Sequence, residues 1–538
     1  MNTTYLILLI LLIIYIPFYI YVRKGPAMKE RGIVPYGPFV MFKTKRGIQY
    51  LDKAAKYKRF WRVFGTISKV MALFLMIMIL FIIIIDLILL PRMMDASGIG
   101  VEYALALPGI NPMLPLVYGV IGLVVAVAIH EIAHGIQTRA NDMAVESTGV
   151  LYAVVPVGAF VEPNEEQIKK APRKARTDMF AAGIAVNLTA AIILFAAMSF
   201  GVMGSVSSDF GDRAAVANVH AGSPAADSGM VYSSLIWGIQ TDPSDPATFI
   251  PMTYDDLMGH GFSPGDEYLI RYATADNEMN TASVHMGVFI SGIAKGSPAE
   301  SASPAVPSDP AGIPKNSILV SIEHGSVTYP IGKIDDFKWL LEPENPSRLR
   351  PGDAVTVTVL PYKDKAVGTP KEYHLTLGNN GGRAFFGVNY SISGFSFTTP
   401  DDVLSGARNP FHNVDSVTDA PSAALTYIGK PFSGYSPVPQ EVQWWYHSSV
   451  LSDSALWIVI QTLFWIFWLN LVLAVTNALP AVPFDGGYLF RDGIGAIVDR
   501  THKNAAPEKK EKITNAVAST VSYIMLFALM LVMVVMIF

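Results

Sequence analysis

The stretch AVAIHEIAHGIQ, residues 126–137, decides how this chain is read. It places His130, Glu131 and His134 near the end of an apolar run at about 115–137, long enough to cross a bilayer. Ionisable side chains at that depth are costly and mark function when they occur. His130 and His134 are four residues apart, so on a helix they project from one face and can share one metal. Glu131 can reach the open coordination position and take a proton from metal-activated water, whose pKa zinc lowers to about 7. A structural metal or a proton path would use the same residue types.

Composition bounds the surroundings. The chain has 538 residues, 51% of them hydrophobic and only 16% charged, against about 25% charged in soluble domains. A membrane is therefore the first expectation. The net charge of −4 offers no global basic surface for nucleic acid. With no cysteine, disulfides and thiolate ligands are excluded, and any metal must be held by His, Asp or Glu.

Spans of roughly 20 apolar residues are expected at about 5–22, 63–90, 115–137, 178–203, 456–479 and 516–537. The first lacks a basic leader and a small-residue cleavage site, and reads as a retained anchor. Loop 23–62 carries a dozen Lys and Arg against Glu30 and Asp52, which predicts a cytoplasmic loop. Six spans put 138–177 and 480–515, both basic, on that same side. The long segment between spans four and five then falls outside, and its acids outnumber its bases nearly two to one.

That segment is rich in Pro, Gly, Ser and Asp, and it repeats. VANVHAGSPAADSGM (216–230) matches VFISGIAKGSPAE (288–300), and FSPGDEYLIRY (262–272) matches RPGDAVTVTVL (350–360). YDDLMG and IDDFKWLL precede the second pair of matches. This order of strand, G-S-P-A loop, strand, helix and P-G-D strand resembles PDZ domains. Two PDZ-like domains are expected, at 212–286 and 287–392, without a clear Gly-Leu-Gly-Phe carboxylate loop. Each has a sheet edge that can accept a peptide or protein ligand. A linker follows at 393–455, in which Trp444, Trp445 and Tyr446 read as an interfacial aromatic belt.

Two histidines leave a catalytic zinc one protein ligand short. NLVLAVTNALPAVPFDGGYLF, residues 470–490, breaks its apolar run at Asn477, Pro480 and Pro483 before Asp485-Gly486-Gly487. Prolines and glycines unwind helices, and unwound backbone at membrane depth is tolerated only where it lines a protein-buried or wet cavity. The segment reads as built to bring Asp485 inside. Asp492 is a competing acid beyond the break, beside Arg491, and a lone Asp-Gly-Gly also suits a surface turn.

His130-Glu131-Ile132-Ala133-His134 together with Asn477-x-x-Pro480-x-x-Pro483-x-Asp485-Gly486 resembles the site-2 protease family of intramembrane zinc metalloproteases. AAGIAVNLTAAIILF (181–195) is similar to that family's Gly-Pro-x-x-Asn helix, with Ile184 in the place of proline. VVPVGAFV (154–161) resembles its membrane-dipping hairpin, with Ala159 in the place of the second glycine.

The resemblance implies one zinc per chain held by His130, His134 and Asp485, nearer the cytoplasmic side, with Glu131 as general base and later proton donor. Asn477 would hydrogen-bond the tetrahedral intermediate or the substrate backbone. Asn187 would support helix packing or substrate, and Val157 and Phe160 would meet substrate in the hairpin. Transmembrane proteins are the implied substrates, cut in regulated intramembrane proteolysis.

The expected whole is a polytopic α-helical membrane protein of about six spans with an inserted, extracytoplasmic, β-rich tandem PDZ-like region. Its parts are N-terminal spans and a basic loop (1–114), a catalytic core (115–203), the two repeats and linker, a core helix with the third ligand (456–495) and a C-terminal loop and span (496–538). The rival readings are a membrane metalloprotease with a glutamate third ligand, a non-catalytic scaffold that presents the external repeats, and a transporter.

Overall fold

Helices form where apolar residues run on without interruption. The computed structural model describes residues 3–93, 108–109, 111–153, 156–242, 244–276, 278–412, 414, 416–433 and 437–537, excepting the side chains of 3–9, 26–27, 92–93, 156–157, 432–433 and 536–537. Its long helices are α1 (Thr3–Lys24), α2 (Lys58–Met93), α3 (Leu116–Ala140), α4 (Arg173–Ala196), α5 (Asp453–Asn477), α6 (Asp485–Thr501) and α7 (Pro507–Ile537). Five of these among the described residues, α2, α3, α4, α5 and α7, are long and apolar enough to cross a membrane. The expected first span, 5–22, lies in α1, of which residues 3–9 are described by backbone alone. The chain divides into two units.

The membrane unit comprises 1–204, 414–437 and 451–538. Without a hydrophobic drive between helices in lipid, small residues allow close packing. A Cβ on Gly122 of α3 would stand 2.8 Å from the Trp465 carbonyl oxygen of α5. Ala126, Ala181, Ala185 and Ala474 are wholly buried for the same reason. Beside the helices lies an antiparallel sheet in the order β1 (Ile33–Tyr36), β2 (Phe39–Thr44), β3 (Val145–Tyr152), β4 (Pro156–Pro163).

β3 and β4 form a hairpin over the stretch expected to dip into the membrane, of which 154–155 lie outside the described residues. β1 and β2 lie in what reads as a basic loop. Their four and six residues are too short for an alternating pattern to stand out. Lys43 of β2 reaches across β3 to the Glu162 carboxylate of β4 at 2.9 Å. A further helix, Ala420–Gly429, also belongs to this unit, where Tyr427 is buried against Phe195 and Phe467.

The second unit, 205–413 with 438–450, contains two sets of five main strands in the same order. Strands 215–219, 235–240, 249–251, 267–273 and 279–285 follow the same order as 288–293, 317–324, 327–330, 354–363 and 371–376. In each set a six-residue helix, Tyr254–Gly259 or Ile334–Trp339, precedes the fourth strand. Asp256 and Asp336, the second acids of YDDL and IDDF, each accept backbone N–H bonds at the helix start.

The two sets are joined edge to edge rather than strung in line. Strand 388–392 pairs with 288–293, whereas strand 395–398, only a turn later, pairs with 215–219. The first repeat's sheet is therefore continued by chain that follows the whole second repeat. One apolar cluster runs through both, from Ala214 to Phe395. The joining turn, Ser393-Gly394, has φ of 53° and 91°, as a tight hairpin of this hand requires. The stretch 393–455 thus contains sheet strands and helices as well as connections.

One expectation is corrected here. Trp445 and Tyr446 are buried within this unit, the Tyr446 hydroxyl donating to the Pro400 carbonyl, and Trp444 packs on Phe210. They serve as core rather than as a lipid-facing aromatic belt. Aromatic residues next to an apolar span suit either role by composition, and burial decides between them.

Candidate metal centre

His130 and His134 lie on α3 as the i,i+4 spacing predicts, and Asp485 is the first residue of α6. His130 Nε2 and His134 Nε2 stand 3.0 Å apart, and each is 3.0–3.1 Å from Asp485 Oδ2. Sequence separation between the two helices is bridged by the break after α5. Gly486 and Gly487 fold back against it so closely that a Cβ on Gly487 would stand 2.5 Å from the Ala481 carbonyl carbon. The three side chains retain 7%, 12% and 13% of their surface, enclosed yet not sealed.

The other face of each imidazole settles which nitrogen carries the proton. His134 Nδ1 lies 2.8 Å from the Met179 carbonyl oxygen, which can only accept. His130 Nδ1 lies 3.2 Å from Asn187 Oδ1, and Asn187 orients that oxygen by donating its Nδ2 to the Ala126 carbonyl at 3.1 Å. With both Nδ1 atoms donating, both Nε2 atoms present lone pairs. Two lone pairs and a carboxylate oxygen then meet within hydrogen-bond distance, a repulsive arrangement unless a cation is shared among them. Two imidazoles and a carboxylate oxygen are also the donor types of a three-ligand catalytic zinc site, and these three form a group close enough to hold one ion. The donor set fits the metal.

Gly183 of α4 makes room for it. A Cβ there would stand 2.5 Å from His134 Nε2 and 2.7 Å from His130 Nε2. Glu131, one residue on from His130, accepts the Val161 N–H of β4 through Oε2 at 3.1 Å. Helix α3 thus supplies the carboxylate, and the hairpin holds it.

The remaining expected residues occupy distinct places. Asn187 is wholly buried, with both ends of its amide engaged as described. Asn477 ends α5, half-buried, and its Nδ2 donates to the Leu473 carbonyl at 3.0 Å. Phe160 lies in β4, packed over Gly149 of β3, and Val157 lies in the same strand. Asp492 is not in the His130, His134 and Asp485 group and pairs instead with Arg176, whose Nε stands 3.1 Å from Oδ2. The Met179 carbonyl and the β4 amide of Val161 escape sequence reading, because a backbone group leaves no mark in residue type.

A family model described as peptidase family M50 matches residues 118–531, which is most of the chain and includes every residue of the centre. An uncharacterized protein of Methanocaldococcus jannaschii is 32% identical over 202 residues, covering 37% of this chain. The chain spans about half of that curated relative's length, 52%. With the helices, the His-His-Asp group and the family match together, the chain belongs to peptidase family M50, the site-2 protease family of zinc-dependent membrane metalloproteases.

Proposed function

We propose that this protein hydrolyses peptide bonds of transmembrane protein substrates within the bilayer, as one step of regulated intramembrane proteolysis. The observation that carries this reading is the convergence of His130 Nε2, His134 Nε2 and Asp485 Oδ2 on one point within an apolar helix bundle. Zinc bound there would supply Lewis acidity and an activated water at neutral pH. Glu131 would serve as the proton carrier, taking a proton from the attacking water and returning it to the leaving amine. The Val161 N–H holds Glu131 Oε2 and so fixes the carboxylate's rotamer. Asn477, at the mouth of the break after α5, offers an amide to the substrate backbone or to the developing oxyanion.

A transmembrane helix keeps its peptide bonds paired, so it must be unwound before cleavage. β4 ends its sheet, with β3 on one side only. The Val161 N–H points away from β3 toward Glu131, so Ala159, two residues back, aims its backbone groups at the same open edge. An unwound segment adding there as a fifth strand would pass beside the general base, with Val157 and Phe160 among its neighbours. Proline at Ala159 removes an edge N–H without breaking a ladder bond. It should cut cleavage while zinc content stays at the wild-type level, and unchanged cleavage would refute the clamp.

The centre sits toward one end of α3, since six residues from His134 to Ala140 span about 9 Å at ~1.5 Å each. That end carries the basic segments, so the active site faces the cytoplasm and the repeat unit lies outside it. The repeats act as PDZ-like domains, taking a peptide or protein ligand at a sheet edge.

The deciding experiment measures zinc per chain and cleavage of a membrane-spanning substrate for the wild type, Asp485→Ala and Glu131→Gln. One zinc lost in Asp485→Ala, and cleavage abolished with zinc retained in Glu131→Gln, is the expected result. A folded wild type that takes up no zinc, or Glu131→Gln that cleaves normally, would overturn the enzyme reading in favour of a scaffold.

A further inference from the structure

Asp485 is the one metal ligand that does not ride on α3, so something must place α6 against the histidines. Residues 173, 176, 180, 183 and 187 lie along one face of α4, and 485, 488, 492, 495 and 499 along one face of α6, each at spacings of three and four. These faces run antiparallel and meet rung by rung. Asn187 and Gly183 flank His130 and His134. One turn on, the rings of Phe180 and Tyr488 stack 4.6 Å apart at 9°. A further turn on, the Arg176 guanidinium grips the Asp492 carboxylate with two nitrogens, Nε to Oδ2 at 3.1 Å and Nη2 to Oδ1. At the basic end, Arg173 Nη1 meets Asp499 Oδ2 at 2.6 Å, and a Cβ on Gly495 would stand 2.8 Å from Arg173 Nη2.

Behind these rungs the helices part. A cavity of about 910 Å³ opens there between α4, α6 and α7, lined by Arg173, Arg176, Tyr488, Asp492 and Asp499 among others. Apart from the ring stack, apolar packing between the two helices is confined to Leu489 against the cluster of Ala181 and Ile184, so toward the basic end the register of α6 on α4 is set by specific pairs. The inner ion pair is the better placed to do this. Its side chains keep 22% and 12% of their surface, against 41% and 45% for Arg173 and Asp499. Bidentate Arg–carboxylate geometry also fixes orientation as well as distance.

We infer that Arg176 and Asp492 are positioning residues for the third metal ligand: their bidentate pair locks α6 in the register that brings Asp485 Oδ2 to the two histidines. The inference rests on the metalloprotease reading of the centre, and its test separates the two. Zinc retention of the full-length protein in detergent is measured against graded chelator. The visible spectrum of the cobalt-substituted protein serves as a second readout of the ligand set.

Arg176→Ala and Asp492→Ala should each weaken retention roughly tenfold or more, as loss of a ligand-orienting partner does, and should alter the cobalt spectrum. Arg176→Lys, which keeps the charge but loses the fork, should fall between these and wild type. The exchange Arg176→Asp with Asp492→Arg should recover most of the loss, which guards against single variants that fail to fold. Wild-type retention in folded Asp492→Ala, or an exchange no better than the single variants, would overturn the inference. A wild-type chain without zinc would instead defeat the reading beneath it.

Discussion

The membrane unit and the repeat unit reach a defined structure by opposite means. Around the metal centre, side chains that are absent matter most. Gly122, Gly183, Gly486 and Gly487 let backbone and imidazole approach to distances that one methyl group would forbid. In the repeat unit, what matters is the order of strands, in which 395–398 closes a sheet begined by 215–219 and the whole second repeat lies between. A metal site depends on atoms placed to a few tenths of an ångström, so it is exposed to single substitutions. A shared sheet core spreads its stability over many apolar contacts and should yield only where the chain must turn or where a rare polar contact is buried.

The sharpest way to break the first of these is Gly183→Ala. Its Cβ would stand 2.5–2.7 Å from His134 Nε2 and His130 Nε2, so either the histidines or α4 must move. Zinc binding weakened by roughly a hundredfold or more, in a protein that still folds, is the expected outcome of a titration against chelator. Asn187→Ala should act through the same atoms more gently. Without the Oδ1 acceptor, His130 loses the bond that keeps its proton on Nδ1, and loss of such a partner costs about 10- to 100-fold in metal affinity. Should Gly183→Ala bind zinc as wild type does, the close approach would carry no functional weight.

How far the two units can be read without a structure differs for the same reason. His130, Glu131, His134 and Asp485 are legible because helical spacing and a proline-broken apolar run are local patterns. The helix of the two histidines lies near its expected limits, whereas Asp485 opens a separate helix, 485–501, that the apolar pattern does not announce. The repeat is legible as a repeat because GSPA and PGD recur in step. Its joining is not, since no local pattern records that residue 397 pairs with residue 216 rather than with its own neighbours. The β1–β2 hairpin is hidden by its brevity. The burial of Tyr446 is hidden because its partners, Pro400 and Ser208, lie far away in sequence.

The joining turn offers the next largest effect. Gly394 has φ of 91°, and its Cα faces the Ser223 side chain of the first repeat. Alongside it, the Ser393 carbonyl accepts from Ala225 N–H at 2.9 Å, and the Gly394 carbonyl from His220 N–H at 2.9 Å. Gly394→Ala adds both backbone strain and a steric clash, which should cost about 1–3 kcal/mol of the repeat unit's stability. Zinc content should stay at the wild-type level in that variant. A metal centre that failed together with the turn would erase the contrast between the two units.

The smallest effect sharpens the picture of the repeats as one body. The Tyr362 hydroxyl, on a strand of the second repeat, donates to Asp227 Oδ2 in the first repeat at 2.7 Å. Burial foremost, then the hydrogen bond to Asp227 and its negative charge, raise the phenol's pKa above its usual value near 10. A raised pKa means the folded state favours the protonated phenol. Its contribution is therefore complete below the unfolded value and is lost as pH rises through the folded one. Tyr362→Phe removes the bond to the exposed Asp227 carboxylate, which should cost about 0.5–1 kcal/mol at neutral pH. The wild type's stability should fall toward the variant's as pH is taken above about 10. Unfolding midpoints of both proteins measured from pH 7 upward would test this, and curves that stay parallel throughout would mean that the Tyr362–Asp227 contact does not bind the two repeats together.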